Sequence, residues 1–369
     1  MEKVFVQWDK NRLCWLTLAW FDGFGARTLR KLRALYSNQG DRAYNVSRET
    51  LISLGVNSNH ADKFISWRKD VVPEMLARRL DAEKIRFVLE CEDEFPSYLK
   101  HSSDPPACLF IRGATLQLNR PIAIVGTRAI TSYGFRVTKF LSRELALAGC
   151  EIISGLALGI DGCAHESVLE VGGKTVAVLA NGCSDATIYP RHNFPLAKRI
   201  MEKGGSLVSE LPPGTCSFKH LFPLRNRIIA SLSVATIVVE AAEGSGSLIT
   251  AKLALEENRD VFAVPGPITS MQSGGTNNLI KLGAIPCTGP EEVLKLFELE
   301  QEKPREPIIL TDEERSLIDM LDRPLHKDEL IRAMEKSPAE ISSLLTSLEL
   351  KGAIEHEGAN IYSRSISSH

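Results

Sequence analysis

The stretch Ile122-Ala123-Ile124-Val125-Gly126-Thr127-Arg128 decides the fold, because its four apolar residues end at a glycine turn that carries a cation. A short run that is wholly apolar predicts a strand covered on both faces of its sheet. Residues 134–148 follow with the apolar spacing of a helix, so the segment predicts a strand, a tight turn and a helix. Such a unit is typical of a parallel sheet, in which a helix carries the chain back to the start of the next strand.

The same order of strand, turn and helix recurs about six times between residues 91 and 300. Further strands are predicted at residues 151–153, 175–180, 206–209, 235–240, 261–264 and 284–287. Further helices are predicted at residues 161–170, 194–203, 226–233 and 247–257. The alternation predicts an α/β fold with an extended Rossmann-like, mostly parallel sheet and helices on both of its faces.

A helical domain is predicted to precede this sheet, over residues 1–90. Leu29, Leu32 and Leu35 recur at helical spacing, and arginine and lysine occupy the other faces of that helix. The turn Gly23-Phe24-Gly25 before the basic helix resembles helix-hairpin-helix (SAM-like) domains, whose turn amides can hold a DNA phosphate. Two interpretations stay open: the basic face contacts DNA, or it is a solvated surface.

A linker and a third domain are predicted after the sheet. Residues 301–307 are charged and include two prolines, which is typical of a linker. Over residues 308–369 the pattern predicts three helices, with Thr311 and Ser337 as N-caps, and then a hairpin around Glu357-Gly358. This order of elements predicts a winged-helix-like domain.

Composition and charge are those of a globular protein and exclude several classes. The 369 residues are 44% hydrophobic and 24% charged, and no apolar run is long enough to span a membrane. The eight cysteines form no C-x-x-C pair, so we expect reduced cysteines in a cytoplasmic protein, with neither a metal site nor a disulfide framework. The net charge of −2 conceals a gradient: residues 1–90 hold 16 Lys and Arg against 11 Asp and Glu, whereas residues 291–369 hold 10 against 18. The acidic C-terminal domain is not expected to lie on duplex DNA.

Small residues dominate the turns that follow the predicted strands. Because the carboxyl ends of parallel strands meet in one crevice, we expect these turns to surround a common ligand. Glycines let backbone amides approach that ligand, and the following helices direct their positive ends towards it, which favours phosphate. The spacing of Gly155, Gly159 and Gly162 excludes a dinucleotide fingerprint, and Lys174 enters a strand rather than the helix of an NTPase loop. No catalytic residue and no cofactor are predicted.

Cationic and aromatic side chains follow the same turns. A groove with both suits single-stranded nucleic acid, because the charges track the backbone and the rings stack on bases. Each arginine alone could equally be a solvated ion-pair partner, and the aromatic residue could equally pack in the core. The residues expected in the groove are Arg128, Arg191, Phe194, Arg225, Arg227 and Lys281.

The motifs resemble, in order, those of the DNA-processing protein family called DprA or Smf. The resemblance extends from residue 126 to residue 266, and helical and winged-helix flanking domains occur in many members. The blocks that carry it are Gly126-Thr127-Arg128, Ser154-Gly155-Leu156-Ala157, Gly159-Ile160-Asp161, Ala164-His165, Tyr189-Pro190, Phe222-Pro223-Leu224-Arg225-Asn226-Arg227, Glu240, Ser245-Gly246-Ser247 and Ala263-Val264-Pro265-Gly266.

The resemblance implies a homodimer that binds single-stranded DNA without turnover or a cofactor. It also implies that the protein protects incoming strands in natural transformation, or competence, and loads the RecA recombinase for homologous recombination. By position, the implied nucleic-acid contacts are Gly126, Thr127, Arg128, Arg191, Phe194 and the loop amides of Ser154, Gly155, Ser245 and Gly246. Thr127 departs from the family's usual serine and crowds the turn, whereas Arg191 keeps the charge of the more common lysine.

Two other functions remain as alternatives. Similar sheets occur in nucleotide phosphoribohydrolases, enzymes that cleave the base from a nucleoside monophosphate and carry a Pro-Gly-Gly-x-Gly-Thr-x-x-Glu signature. Residues 240–247 contain no Pro-Gly-Gly, and Thr250 stands where that signature has its glutamate. In the second alternative the acidic C-terminal domain docks a protein, and DNA binding is incidental.

Overall fold

The computed structural model describes residues 8–116, 118–300, 310–321, 324–351, 353–358 and 360–364. The chain divides into two compact units, Met1–Phe297 and Glu298–His369. The linker predicted at residues 301–307 lies outside the described residues. Among the described helices, none is long and apolar enough to cross a membrane.

Among the described residues of the first unit, six helices come first, in agreement with the helical region predicted over residues 1–90. Their apolar faces bury Trp15, Leu32, Phe64 and Leu80 in one cluster. The same cluster includes Phe110 of the sheet, whose ring meets Trp20 edge to face with centroids 6.1 Å apart, so the helices and the sheet share one core. The helices are α1 (Lys10–Trp20), α2 (Ala26–Tyr36), α3 (Gly40–Tyr44), α4 (Arg48–Ser53), α5 (Ser58–Asp70) and α6 (Pro73–Glu83).

Three cations on the basic face of α2 make contacts within the protein. Arg30 forms an ion pair with Asp104, and Arg33 forms one with Glu90, 2.9 Å away. The Lys31 ammonium donates to the carbonyl oxygen of Leu54 at 2.6 Å. These three side chains therefore tie α2 to its surroundings, which supports the structural interpretation of the basic face over DNA contact.

In the part of the chain that the structure describes, nine strands form the central sheet, in the order β1-β2-β6-β5-β4-β3-β7-β8-β9. The pairs from β6 to β9 are parallel, and β1 and β2 form an antiparallel edge. The mostly parallel α/β sheet predicted from the sequence is thus confirmed. The strands are β1 (Ile85–Leu89), β2 (Cys108–Gly113), β3 (Pro121–Val125), β4 (Glu151–Ser154), β5 (Thr175–Val178), β6 (Ser206–Ser209), β7 (Ala235–Val238), β8 (Asp260–Ala263) and β9 (Ile285–Pro286).

Helices cover both faces of this sheet, because alternate residues of each apolar strand point to opposite sides. Ile122 and Ile124 of β3 pack in one layer, and Ala123 and Val125 pack in the other. The helices of this region are α7 (Ser97–Lys100), α8 (Ser132–Leu147), α9 (Ile160–Glu170), α10 (Phe194–Glu202), α11 (Leu221–Leu232), α12 (Gly246–Glu256), α13 (Gly274–Lys281) and α14 (Glu291–Glu300). The predicted helix at 226–233 begins five residues earlier in the structure, and α13 was not predicted.

In the second unit, the described residues from 310 onwards form three helices and a small sheet of order β10-β12-β11, in agreement with the winged-helix-like prediction. Thr311 and Ser337 are both N-caps with complete capping boxes, as their positions predict. Hydrogen bonds from Lys351 and Ser347 hold the pKa of the buried Glu314 carboxyl at about 2, well below its usual range. The elements are α15 (Asp312–Met320), β10 (Leu325–His326), α16 (Lys327–Met334), α17 (Pro338–Leu350), β11 (Ile354–Gly358) and β12 (Ile361–Arg364).

Candidate nucleic-acid interface

A cleft of about 220 Å³ opens at the carboxyl end of β3. Here the strand order reverses, since β4 lies on one side of β3 and β7 on the other, and the turns after β3 and β7 diverge to leave a crevice. A smaller depression adjoins the cleft and shares Arg128, Ala157 and Phe222 with it. The residues that line the cleft are Val125, Gly126, Arg128, Ala157, Asp161, Phe222, Arg225, Asn226, Ile229, Ser245, Gly246, Ser247 and Thr250.

The turn after β3 is held from two sides, and this places Arg128 at the mouth of the cleft. The Thr127 amide donates to the carbonyl oxygen of Glu240 at 2.7 Å, and the Thr127 carbonyl accepts from Ile160 N at 3.1 Å. Thr127 itself is buried, whereas Arg128 is exposed. The Arg128 guanidinium lies over the Phe222 ring, 5.0 Å from its centroid. Thr127 therefore acts as a positioning residue for the exposed cation beside it.

Glycine is required at position 126, where the backbone passes close to its neighbours. A Cβ on Gly126 would lie 2.9 Å from the Glu240 carbonyl oxygen and would also meet the Ile160 side chain. The buried Glu240 carboxylate in turn accepts from the amide of Thr131 at 3.1 Å and from the Thr131 hydroxyl. Glu240 thus orders the start of α8, which agrees with a structural role for this carboxylate.

The polar groups of the turn after β4 form hydrogen bonds within the protein. Asp161 Oδ2 accepts from the amide of Gly155 at 3.1 Å and from that of Ala157 at 3.4 Å. The Ser154 hydroxyl, fully buried, donates to the carbonyl oxygen of Ile124 at 2.6 Å. The resemblance implied that Ser154 and Gly155 present amides to nucleic acid, but the Gly155 amide already has the Asp161 carboxylate as its partner.

Arg225 differs from the sequence expectation, because it faces inwards. It was predicted to contact nucleic acid, and it does line the floor of the cleft. However, its side chain is buried, and Nη1 donates to the carbonyl oxygen of Gly155 at 2.6 Å and to that of Val178. These bonds join α11 to the ends of β4 and β5, so Arg225 positions the cleft rather than offering a free cation to a ligand.

Arg227 and Lys281 also lie elsewhere than predicted. The Arg227 guanidinium is largely buried and pairs with Glu210 and Asp104, so its charge is neutralised within the protein. Lys281 is exposed at the end of α13 and is not among the residues that line the cleft. Helical spacing explains the first difference, since Arg225 and Arg227, two positions apart on α11, must point in different directions.

The N-terminus of α12 lines the same cleft as Arg128. The Ser245 hydroxyl is the N-cap of this helix and accepts from the Ser247 amide at 3.4 Å. Gly246 lines the cleft, and a Cβ built there would have no heavy atom within 4 Å. A helix N-terminus that faces open space next to an exposed arginine is suited to an anion. The predicted Ser245 and Gly246 are thus brought together with Gly126 and Arg128.

Arg191 and Phe194 lie beside the smaller depression rather than in the main cleft. Tyr189 and Pro190 line that depression, and Arg191 follows them directly. The Arg191 guanidinium lies 4.4 Å from the Phe194 ring centroid, and Lys198 Nζ lies 4.7 Å from it. Phe194 is half-buried against the hydrophobic core, so two cations and the core already contact its ring.

Sequence reasoning did not single out Phe222, Tyr189 or Asn226 as site residues. The rings of Tyr189 and Phe222 meet edge to face with centroids 6.2 Å apart, and both border the smaller depression. Asn226 lines the main cleft beside Arg225. The available signal was membership of the motif blocks, since Tyr189 belongs to the Tyr189-Pro190 block and the other two residues belong to the block from Phe222 to Arg227.

Burial shifts the pKa values of the two charged side chains on the floor of the cleft. It raises the pKa of Asp161, and it lowers the pKa of Arg225 to about 10, with each charge partly offsetting the effect on the other. Arg225 therefore remains charged at neutral pH. Asp161 is the one carboxylate among the described residues that line the cleft, and its Oδ2 is already bonded to two amides. The arrangement can bind an anion.

Comparison with protein families identifies both units of the chain. A family model described as DNA recombination-mediator protein A matches residues 86–298, and a model of the DprA winged helix domain matches residues 301–360. Protein Smf of Escherichia coli (strain K12) is 41% identical over 252 residues, which are 68% of this chain and 67% of that protein.

Two solved structures share the fold at 30% sequence identity. The X-ray structure of DNA processing protein A from Streptococcus pneumoniae covers 79% of this chain and 98% of its own, with a TM-score of 0.63. The protein of the same name from Helicobacter pylori, whose structure is described for its single-stranded DNA binding mode, covers 59% of this chain and 98% of its own, with a TM-score of 0.53. Since the first family model alone spans more than half of the sequence, the chain belongs to the DNA recombination-mediator protein A family, DprA.

Proposed function

We propose that this protein binds single-stranded DNA, without sequence preference, in the cleft after β3 and β7. The observation that carries the proposal is the exposed Arg128 guanidinium over the Phe222 ring, in a cleft that the N-terminus of α12 also lines. A cation and helix amides suit the phosphate, and aromatic rings suit the base. The Helicobacter pylori relative, described for its single-stranded DNA binding mode, supports the same ligand here.

Each part of the cleft has a separate role in this proposal. A backbone phosphate lies between Arg128 and the amide of Gly246, and an adjacent base packs on Phe222 or Tyr189. Asp161 and Arg225 hold the turns in place and do not touch the strand. A cleft of about 220 Å³ accommodates a nucleotide but not a double helix, so selectivity for single strands follows from its size.

Fluorescence anisotropy of labelled oligo-dT, measured over a range of salt concentrations, tests this proposal. We expect the logarithm of the affinity to fall linearly with the logarithm of salt, by about 0.7 for each phosphate neutralised, and unlabelled duplex to compete poorly. Arg128→Ala is expected to weaken binding by about 1–3 kcal/mol, because a charge-assisted contact is lost.

The matched control for Arg128→Ala is Arg136→Ala, since Arg136 is an exposed arginine on α8 and is absent from the cleft lining. It should retain wild-type affinity. Gly246→Ala supplies a second probe, because its methyl group enters open space and adds bulk at the anion position without straining the fold. Wild-type protein that is folded but does not bind oligo-dT at low salt would overturn the proposal.

We further propose that the protein binds DNA without chemical turnover. The lone carboxylate of the cleft is engaged with backbone amides, and Thr250 replaces the glutamate of the hydrolase signature. Incubation with nucleoside monophosphates should therefore release no free base. Release that depends on Asp161 would instead support the phosphoribohydrolase alternative.

We propose recombinase loading in the cytoplasm as the biological role, with protection of incoming strands during natural transformation where the host is competent. Family membership supports this role, since the matching model is described as a recombination mediator. The test is RecA filament growth on a strand coated with single-strand-binding protein. The DprA-family chain should shorten the lag before growth, and an unchanged lag would count against the role.

We propose a homodimer that forms through the β9 edge of the sheet. β9 is the last strand in the sheet order, and the β8–α13–β9 region that ends there exposes several large apolar side chains. A second copy of the chain would cover them. The exposed residues are Ile268, Met271, Leu282 and Ile285.

Leu282→Glu is expected to convert the dimer to a monomer, because it places a charge in an apolar interface. Sedimentation equilibrium measures the change in mass. Leu147→Glu is the matched control, since Leu147 is a similarly exposed leucine on α8, and it should leave the mass unchanged. A wild-type protein that sediments as a monomer would refute the proposal.

A further inference from the structure

The segment between β6 and α11 leads to the cleft, and it exposes an aromatic side chain that packs in none of the apolar clusters described above. The Phe218 side chain is 57% exposed and belongs to none of the buried apolar clusters of the described residues. A hydrogen bond from Leu221 N to the Phe218 carbonyl oxygen, 3.0 Å long, closes a turn at this point. Phe218 therefore stands one turn before Phe222, the aromatic residue that lines the cleft.

The Phe218 ring is paired with a second ring in a nearly parallel arrangement. The centroids of Phe218 and His220 are 5.9 Å apart, and their planes differ by only 11°. Lys219 lies between them in the sequence, and Lys219 and His220 are both exposed. Two parallel rings with a cation beside them have the composition of a base-stacking platform, since a base packs on the ring face and a phosphate pairs with the cation.

The pair also lies close in the chain to Phe222, an aromatic residue of the proposed DNA cleft. Phe222 lies beneath the Arg128 guanidinium and touches Tyr189, with centroids 6.2 Å apart. Phe218 and Phe222 are four residues apart, and the hydrogen bond from Leu221 N to the Phe218 carbonyl oxygen closes the turn between them. A strand that leaves the cleft past Phe222 therefore has the Phe218–His220 pair within one turn of the chain.

We propose that the Phe218–His220 pair is a second stacking site, which takes a base of the single strand immediately outside the cleft and with Lys219 extends the bound length of DNA. The inference rests on the proposed function, because the strand in the cleft delivers the nucleotide that stacks here. A single strand suits this surface better than a protein does, because two exposed rings and an exposed lysine stand within one turn of Phe222, which lines the cleft.

Binding of oligo-dT of increasing length to Phe218→Leu tests the site. Leucine keeps an apolar side chain on the exposed turn but removes the ring face. The variant should bind the shortest oligonucleotides like the wild type, and longer ones about five- to a hundred-fold more weakly, as expected for one lost base–aromatic stack. Phe140→Leu, which changes a similarly exposed phenylalanine on α8, is the matched control and should bind all lengths normally.

Phe218→Trp keeps the stacking face and reports on it directly. The four native tryptophans lie at positions 8, 15, 20 and 67, so the difference in emission between the variant and the wild type isolates position 218. Long oligo-dT should quench that difference signal, because a stacked base quenches indole fluorescence. The shortest oligonucleotides should leave it unchanged.

The outcomes separate this inference from the proposed function. If the wild type binds no oligo-dT of any length, the proposed function fails. If the wild type binds and Phe218→Leu matches it at every length, the function stands and the stacking site is refuted. Normal DNA binding with a loss of self-association in Phe218→Leu would also refute the site, by assigning the rings to a protein interface.

Discussion

Replacing Arg225 with methionine is expected to lower the free energy of unfolding by about 3–5 kcal/mol. Methionine fills much of the same space, but it leaves the carbonyl oxygens of Gly155 and Val178 without their buried donor. It also removes the positive charge that offsets the cost of burying the Asp161 carboxylate. The large effect is expected because a buried polar network loses a charged member while its partners stay in place.

Denaturant unfolding followed by tryptophan fluorescence measures this change, since all four tryptophans belong to the unit Met1–Phe297. Arg199→Met is the control, because Arg199 is exposed on α10 and its ion pair with Glu166 is loose at 3.7 Å. It should change stability by less than about 0.5 kcal/mol. Equal losses for the two variants would show that the buried contacts of Arg225 contribute nothing specific.

The DNA affinity of Arg225→Met distinguishes the two roles considered for this residue. As a positioning residue, Arg225 acts through the Gly155 turn, and Gly155→Ala should mimic its loss, because the added Cβ would collide with the guanidinium. As a direct contact, Arg225 would be required even when the turn is intact. A folded Gly155→Ala protein with wild-type affinity would therefore favour direct contact.

The parallel strands were predictable because most of them are short apolar runs that end close to a glycine or another small residue. Ile122 to Val125 shows the signal at its clearest, and β3 has one residue more than the predicted strand. The antiparallel strands β1 and β2 were missed. Phe87 and Phe110 face each other in the register of that pair, but residues 85–89 directly follow a helical region and were assigned to it. The pairing joins segments about 20 residues apart, which no local pattern reports.

The cleft was predicted more accurately than the arginines around it. Glycine turns after strands have a local cause, so Gly126 and Gly246 could be placed correctly at the edge of the sheet. Whether an arginine faces solvent depends on acceptors that are distant in the sequence. Arg225 finds the Gly155 carbonyl 70 positions away, and Arg227 finds Asp104 123 positions away. Only the fold reveals that Arg128 keeps its charge exposed.

His165 lies on α9 and is fully buried against the sheet, with one ring nitrogen unused. Its Nδ1 lies 2.6 Å from the Thr175 hydroxyl, which itself donates to the carbonyl oxygen of Ile152 at 2.6 Å. Since the hydroxyl proton is committed to Ile152, Nδ1 carries the proton that joins the ring to Thr175. Nε2 then carries a lone pair instead of a proton, and it has no hydrogen-bond partner within the described residues. The neutral ring is therefore the form that the fold accommodates.

The structure predicts that His165 makes the protein less stable in mild acid. Burial, with a smaller effect of the Arg225 charge, lowers the pKa of His165 to about 3, whereas the ring has a pKa of about 6.5 in an unfolded chain. Between these values the unfolded state binds a proton that the folded state refuses. The contribution of His165 to stability is thus complete above about pH 6.5 and falls by up to about 1.4 kcal/mol per pH unit below it. The total loss by pH 3 is about 4 kcal/mol.

Comparison of His165→Gln with the wild type isolates this contribution, because other buried groups whose pKa values are shifted, such as Asp161 and Glu210, are common to both proteins. Glutamine can still donate to Thr175 but takes up no proton in this range. The variant should therefore lose less stability than the wild type between pH 6.5 and pH 4. The gap between the free energies of unfolding of the two proteins should shrink as the pH falls. His192→Gln, at an exposed histidine, should follow the wild-type curve. Parallel curves for His165→Gln and the wild type would contradict this prediction, because they would show that the folded protein accommodates a charged ring at position 165.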